Sequence, residues 1–253
     1  MDRVLNAPLL LFLCSLVALW ICSRLGNLIS ARLRPLREDE RKDFEVVSAA
    51  TLTLLGLIIG FSFSMAISRY DQRKNYEEAE ANAIGTEYVR ADLLPSSEAG
   101  KVRELLKSYL NQRVLFYESR DRGQLAHINA DTARLQDQMW STVQAAANAK
   151  PSPIIALTVA GMNDVLNSQG YTQAAWWNRI PMAAWGLMLA IAMLCNLLVG
   201  YGSKRSDRLV LSVLPLALSI SFFLIADIDS PRGGVIHVMP QNLVSLSESL
   251  HAQ

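Results

Sequence analysis

Four long apolar runs without a charged residue constrain the fold more than any other feature of this chain. They cover residues 4–23, 46–68, 180–203 and 209–226. Each run has about 18 to 24 residues, and as an α-helix rising about 1.5 Å per residue it matches a bilayer core of roughly 30 Å. The sequence therefore predicts an all-α membrane protein with four spans, the fourth extending to about residue 228.

The charged residues lie between the runs and divide the chain into predicted domains. These are a transmembrane hairpin over 1–68, a water-exposed helical domain over 69–178, a second hairpin over 179–229 and a polar C-terminal tail over 230–253. The second span runs into polar sequence without Pro or Gly, so we expect one continuous helix. Apolar residues at helical spacing predict that the inserted domain is a helical bundle: Val102, Leu105, Leu106, Tyr109, Leu110, Leu135, Met139, Val143, Ala147, Ile155, Val159, Met162 and Leu166.

The first run could instead be a cleaved signal peptide, because Arg3 precedes an apolar stretch. A small-x-small cleavage signature is absent, and Cys22 lacks the small residues that precede a lipidated cysteine. We therefore expect this run to remain as a transmembrane helix.

Composition and motifs argue against several classes of function. The formal net charge of +1 gives no field that would attract nucleic acid, so no nucleic-acid partner is predicted. All three cysteines fall in predicted spans, and the three histidines are scattered without ligand spacing. Phosphate-loop, metalloprotease and hydrolase motifs are absent. We accordingly predict neither an enzyme nor a metal or cofactor site, and membrane lipid as the one general partner.

The second span carries the most informative pattern. Gly56, Gly60, Ser64 and Ser68 recur every four residues and so share one helix face. One interpretation is close packing against another helix. The other is that this face borders a pore, in which Phe61 or Phe63 forms an apolar constriction that gates by expelling water.

Polar groups at two span ends allow two interpretations each. Asp227 lies just inside the fourth span, where a carboxylate is a functional candidate, but Asp229 and Arg232 nearby also suit an interfacial salt-bridge cluster. Beyond the second span, Arg69, Asp71 and Arg73 are either functional groups or anchors whose charged ends reach the interface. The sequence does not separate these alternatives.

Two blocks of sequence resemble the bacterial bestrophin-like domain family. They are GLIIGFSFSMAISRYDQRKNYEEAEANAIGTEYVRADLL and DIDSPRGGVIHV. That family is regarded as a distant relative of bestrophins, chloride channels that assemble as pentamers around a pore lined by the second transmembrane helix. The resemblance implies a homo-oligomer in the bacterial inner membrane, a pentamer by analogy, that conducts small inorganic ions. By the same resemblance these ions are anions.

The resemblance extends to individual residues only in part. Ser68, Tyr70, Asp71 and Arg73 are similar to a Ser-Tyr-Asp-Arg cluster beyond the bestrophin pore helix, with different spacing. Pro231 and Gly233 resemble a turn after the last bestrophin span, whereas Arg232 replaces its phenylalanine. No acidic run resembles the calcium clasp of animal bestrophins. The alternative function is a non-conducting structural or sensory membrane protein whose helical domain binds a partner.

Basic residues give conflicting evidence on orientation. The two short connectors carry nine of them and the opposite side six near the membrane, which by the positive-inside rule places the inserted domain outside the cytoplasm. Bestrophins have the reverse arrangement. We follow the resemblance and predict that the 69–178 domain faces the cytoplasm.

Overall fold

The computed structural model describes residues 7–32, 36–203 and 210–252, and these residues form helices joined by short connections without any strand. The α-helices are α1 (Pro8–Arg32), α2 (Arg41–Arg90), α3 (Ser96–Glu118), α4 (Arg122–Ala149), α5 (Pro153–Trp177), α6 (Met182–Gly202), α7 (Val210–Asp229) and α8 (Gln241–His251). A single 3-10 turn at Ala91–Leu93 follows α2. Several positions used in the sequence analysis lie outside the described residues: 4–6, 209, 253, Arg3, Arg34, Lys204, Arg205 and Arg208.

Among the described residues, four segments are long and apolar enough to cross a bilayer, by length and composition: Pro8–Arg32, Arg41–Leu93, Pro153–Gly202 and Leu211–Asp229. Each of them overlaps one of the four apolar runs, so the prediction of an all-helical chain with four such segments is confirmed. Most of the second segment is one uninterrupted 50-residue helix, α2, as the absence of Pro and Gly from residues 69–84 predicts.

The chain forms two compact units, and the first contains residues 1–70 and 179–237. Within it α1 packs along both α6 and α7. The core is apolar and includes an edge-to-face contact between the Trp185 and Phe222 rings, whose centroids lie 6.4 Å apart. Leu55 and Ala66 attach the first part of α2 to this core.

The second unit contains residues 71–178 and 238–253. The apolar stripes that predict its helices all lie buried or half-buried, with Val102, Leu106, Met139 and Met162 completely so. Burial of such a side chain contributes roughly 1.5 to 3 kcal/mol relative to leaving it exposed. These stripes therefore hold α3, α4 and α5 together.

The C-terminal tail is divided between the two units. Its first part, through His237, belongs to the first unit, and α8 belongs to the second. Leu243 and Leu250, seven residues apart on one face of α8, are buried. The polar composition that characterises this tail therefore comes from the outer face of a packed amphipathic helix.

Candidate functional site

The apolar part of α2 is the least buried of the four spanning segments. Only 11% of its most apolar stretch is buried, against 28% to 50% for the other three segments. Its buried side is defined by Leu55, Ser62 and Ala66. The rest of its surface in this span is free of the chain's own helices or only partly covered by them.

The four-residue stripe predicted on α2 lies mostly on the uncovered side. Ser64 follows Leu55 by nine residues and so lies about 180° away around the helix, with Gly60 about 140° away. A Cβ added at Gly56 or at Gly60 would meet no atom within 4 Å. Ser64 and Ser68 are exposed. Close packing within the chain therefore does not explain these small residues.

The glycines that do pack closely lie elsewhere. A Cβ added at Gly26 of α1 would overlap the backbone oxygen of Leu197, and one added at Gly200 of α6 would overlap that of Ser23. The two helices thus approach with backbone against backbone at this crossing. This contact was not predicted from the sequence, although Ser23 and Gly26, three positions apart, and Asn196 and Gly200, four positions apart, are the residues that mark it.

Phe61 and Phe63 occupy different sides of α2. Relative to Leu55, Phe61 lies about 120° around the helix in one direction and Phe63 about 80° in the other. Phe61 is 65% exposed and Phe63 is 37% exposed. Phe61 therefore lies nearer to the uncovered face, and Phe63 is partly packed.

The polar cluster at the exit of the second span does not form one site. Arg69 approaches Asp229 at 3.5 Å in the first unit. In the second unit Arg73 is buried and donates from Nε to the Ala175 carbonyl and from a terminal nitrogen to the Asn178 carbonyl, both at 3.3 Å. Tyr70 is half-buried, whereas Ser68 and Asp71 are exposed. The structure thus assigns the two arginines structural contacts and leaves Asp71 on the surface.

Asp229 joins the ends of three spanning segments. Its carboxylate accepts the backbone N–H of Ile180 at 3.1 Å and lies 3.5 Å from Arg179 at the start of the α6 segment and from Arg69 on α2. This side chain is nearly fully buried. Asp229 therefore belongs to an ion-pair cluster with Arg69 and Arg179.

Asp227 organises the turn that follows α7. Its two carboxylate oxygens accept the backbone N–H groups of Val235 and Ile236, each at 2.8 Å. A Cβ at Gly234 would lie 2.5 Å from the Asp227 carbonyl oxygen, so the loop passes close to the helix end. In the same turn Ser230 Oγ accepts the N–H of Gly233, while Pro231 and Arg232 are half-buried.

The sequence analysis also missed a buried polar network on α2. The helix side that carries Leu55 and Ala66 continues beyond the span through Glu80, whose carboxylate pairs with Arg113. Both side chains are fully buried, and Glu80 also accepts hydrogen bonds from Tyr117 at 3.4 Å and Thr172 at 3.1 Å. Burial, and next the Glu80 charge, raise the pKa of the Tyr117 hydroxyl well above its ordinary value. This network joins α2, α3 and α5.

Glu77, three residues before Glu80 on α2, holds the N-terminus of α8. Its carboxylate accepts the backbone N–H of Asn242 at 2.9 Å and that of Leu243 at 3.0 Å. These are amides of the first turn of a helix, which lack partners within the helix and favour a negative charge. The spacing of four residues from Arg73 to Glu77, and of three from Glu77 to Glu80, is the signal that places these charges on one buried face.

No candidate for a metal site emerges from the part of the chain that the structure describes. No three His, Cys, Asp or Glu side chains in it come together in a group able to hold an ion. The arrangement that remains as a candidate site is the uncovered face of α2.

Comparison with known proteins identifies the fold. The family model described as the Bestrophin-like domain matches residues 17–243. A crystal structure of a bacterial bestrophin homologue from Klebsiella pneumoniae matches with 12% identity and a TM-score of 0.67, covering 96% of this chain and 97% of that one. A single-residue variant of that homologue matches with 12% identity and a TM-score of 0.68, covering 95% and 98%. Among curated proteins none matches.

Proposed function

Because the chain belongs to the Bestrophin-like domain family, we propose that it is a homo-oligomeric ion channel of the bacterial inner membrane in which α2 lines the pore. Bestrophins are channels, and the fold of their bacterial homologue extends over nearly the whole of this chain. The proposal assigns the uncovered face of α2 to a central axis around which copies of the chain assemble, five by analogy with bestrophins.

The observation that carries this proposal is the open space beside Gly56 and Gly60. A helix face that contacts lipid is best covered by large apolar side chains, whereas small and hydroxylated residues suit a close neighbour or water. The described part of the chain provides no neighbour there. Other copies of α2, or a water-filled passage between them, would explain both the small residues on this face and the exposure of Ser64 and Ser68.

The proposed ion is an anion, by analogy with bestrophin chloride channels. Beyond the span, however, the uncovered face of α2 carries the exposed carboxylates Asp71 and Glu78, and rings of carboxylates favour cations. The reversal potential of current through the purified protein under a potassium chloride gradient distinguishes the two ions. A reversal potential near the chloride equilibrium potential supports anion conduction. A reversal potential near the potassium equilibrium potential would show that the protein is a channel for cations instead.

Ion flux from liposomes tests the channel itself. The purified protein is expected to release trapped chloride faster than protein-free vesicles, and its mass in detergent is expected to be a multiple of the 28.0 kDa chain. A monomer, or an oligomer without flux, favours the non-conducting alternative in which the helical domain binds a partner.

We further propose that the 69–178 domain is exposed to water. A cysteine introduced at Glu118, which is exposed near the end of α3, is expected to react with a membrane-impermeant maleimide once its side of the membrane is accessible. The wild-type chain is the control, because its three cysteines lie in the spanning segments α1 and α6. Protection of residue 118 from both sides of the membrane would contradict a water-exposed domain.

The proposed orientation places this domain in the cytoplasm. Alkaline phosphatase fused after residue 125 is expected to be inactive in cells, because the enzyme needs the oxidising periplasm to form its disulfides. A fusion at residue 36, in the connector between α1 and α2, serves as the control and is expected to be active. The opposite pair of activities would place the domain outside the cytoplasm, as the basic residues of the connectors indicate.

A further inference from the structure

Glu87 is a buried carboxyl on α2 that the proposed channel does not use. Its side chain is fully buried, and neither carboxylate oxygen has a hydrogen-bond partner among the described residues. It lies directly against Gly161 of α5, where an added Cβ would overlap Oε2 of Glu87. Gly161 is in the middle of a helix, so its own N–H is occupied within α5 and is not offered to the carboxyl.

The charged groups around Glu87 do not neutralise it. Arg90 follows one turn later on α2, and its terminal nitrogen would also contact a side chain at position 161. Asp164, on the next turn of α5, adds negative charge to the same seam, the contact between α2 and α5. On the neighbouring α3, Arg103 is already paired with Asp92. Glu87 thus lies at a helix seam that contains one nearby cation and one additional carboxylate.

We propose that Glu87 is a proton-binding site that controls the packing of α2 against α5. With its proton, the carboxyl is neutral and fits the space that Gly161 leaves open. Without it, an ionised carboxylate lies in the seam without a donor, which is costly unless water reaches it. Loss of the proton therefore loosens the contact between these two helices.

The protonation equilibrium supports this reading. Burial raises the pKa of Glu87 from its ordinary 4.5 to about 8, against the opposing effect of Arg90 and with a contribution from Asp164. At neutral pH the carboxyl is accordingly protonated in the folded chain. An unfolded chain releases this proton near 4.5, so the folded state binds more protons between about 4.5 and about 8. The contribution of Glu87 to the free energy of unfolding therefore falls as the pH rises from about 4.5 to about 8, and it is constant above that range.

Thermal unfolding of the full chain in detergent tests the proposal. The melting temperature of the wild type is expected to fall from pH 5 to pH 8 relative to that of Glu87→Gln. The glutamine keeps the shape of the neutral carboxyl and cannot ionise. Above pH 8 the variant is expected to be the more stable protein. Glu104→Gln is the matched control, since Glu104 is 76% exposed on α3, and it should follow the wild type. A difference between wild type and Glu87→Gln that stays constant from pH 5 to pH 9 would overturn the proposal.

Infrared spectroscopy of the wild type provides an answer that does not depend on how the variant folds. A protonated carboxyl has a C=O stretching band well separated from that of a carboxylate. This band is expected to be present at pH 7, to disappear as the pH is raised through about 8, and to be reduced in any folded Glu87→Gln protein. Its absence from the wild type at pH 7 would show that Glu87 is ionised, and the proposal would be wrong. Neither measurement involves ion conduction, so the proposed channel stands or fails separately.

Discussion

Replacing Arg113 by methionine is expected to lower the free energy of unfolding by about 3 to 5 kcal/mol, because Glu80 is then left in the core without its cation. Both partners are fully buried. The Thr172 and Tyr117 hydroxyls still donate to Glu80, but they carry no charge to offset its own. Chemical denaturation in mixed micelles, followed by circular dichroism, measures the loss.

An exposed ion pair in the same unit provides the control. Arg134 approaches Asp131 at 2.8 Å on α4, with 67% and 43% of the two side chains exposed. Arg134→Met is expected to cost less than about 1 kcal/mol, since exposed pairs are screened by water. Equal losses for the two variants would contradict the role assigned to the buried pair. Replacing Glu80 and Arg113 together by glutamine and methionine should recover part of the loss, because no unpaired charge remains.

Replacing Phe61 by alanine is expected to raise ion flux about tenfold, which corresponds to a barrier lowered by about 1.4 kcal/mol. The physical reason is that a ring of large apolar side chains expels water from a narrow passage, and an ion crossing it loses hydration without a replacement ligand. Phe61 is the more exposed of the two phenylalanines and lies nearer to the uncovered face of α2. Chloride release from liposomes at equal protein density measures the effect.

Phe63→Ala is the matched control for this prediction. Phe63 lies on the other side of α2 and is partly packed, so its loss should weaken folding by less than the roughly 3 to 5 kcal/mol of a fully buried phenylalanine. Its effect on flux is expected to be small. If Phe63→Ala opens the passage and Phe61→Ala does not, the face that lines the pore has been assigned wrongly.

The spans and the long second helix could be predicted from the sequence because their signal is local. An apolar run without charges indicates both the length of a span and its environment, and the absence of Pro and Gly from residues 69–84 indicates that the helix continues. The stripes of α3, α4 and α5 are local in the same sense, and Val102, Met139 and Met162 lie where their spacing places them.

Helix contacts were not predictable in the same way. Gly56 and Gly60 form the pattern typical of close packing, yet Gly26 and Gly200 make the close approach, across 174 residues of chain. A small residue shows that a neighbour can come close and does not show which neighbour does. Choosing between the two glycine pairs requires the three-dimensional arrangement of α1 and α6.

The buried charges of α2 were missed for a related reason. Glu80 follows an apolar span in a strongly charged segment that is typical of a solvated helix. Its partners Arg113 and Thr172 lie 33 and 92 residues further along the chain. Only the continuation of the spacing from Leu55 and Ala66 marks this face as buried, and the charge itself argues against that interpretation.

A pore lined by α2 requires that its uncovered face meets the conducting pathway, and substituted-cysteine modification measures which face does so. In a Cys14→Ser background, Ser64→Cys is expected to be modified by a charged, water-soluble methanethiosulfonate reagent during planar-bilayer recording, with a change in current. Leu194→Cys, at a position on α6 that is also exposed in the isolated chain, is expected to remain unmodified because it faces lipid. Current that changes at residue 194 and not at residue 64 would contradict a pore lined by α2.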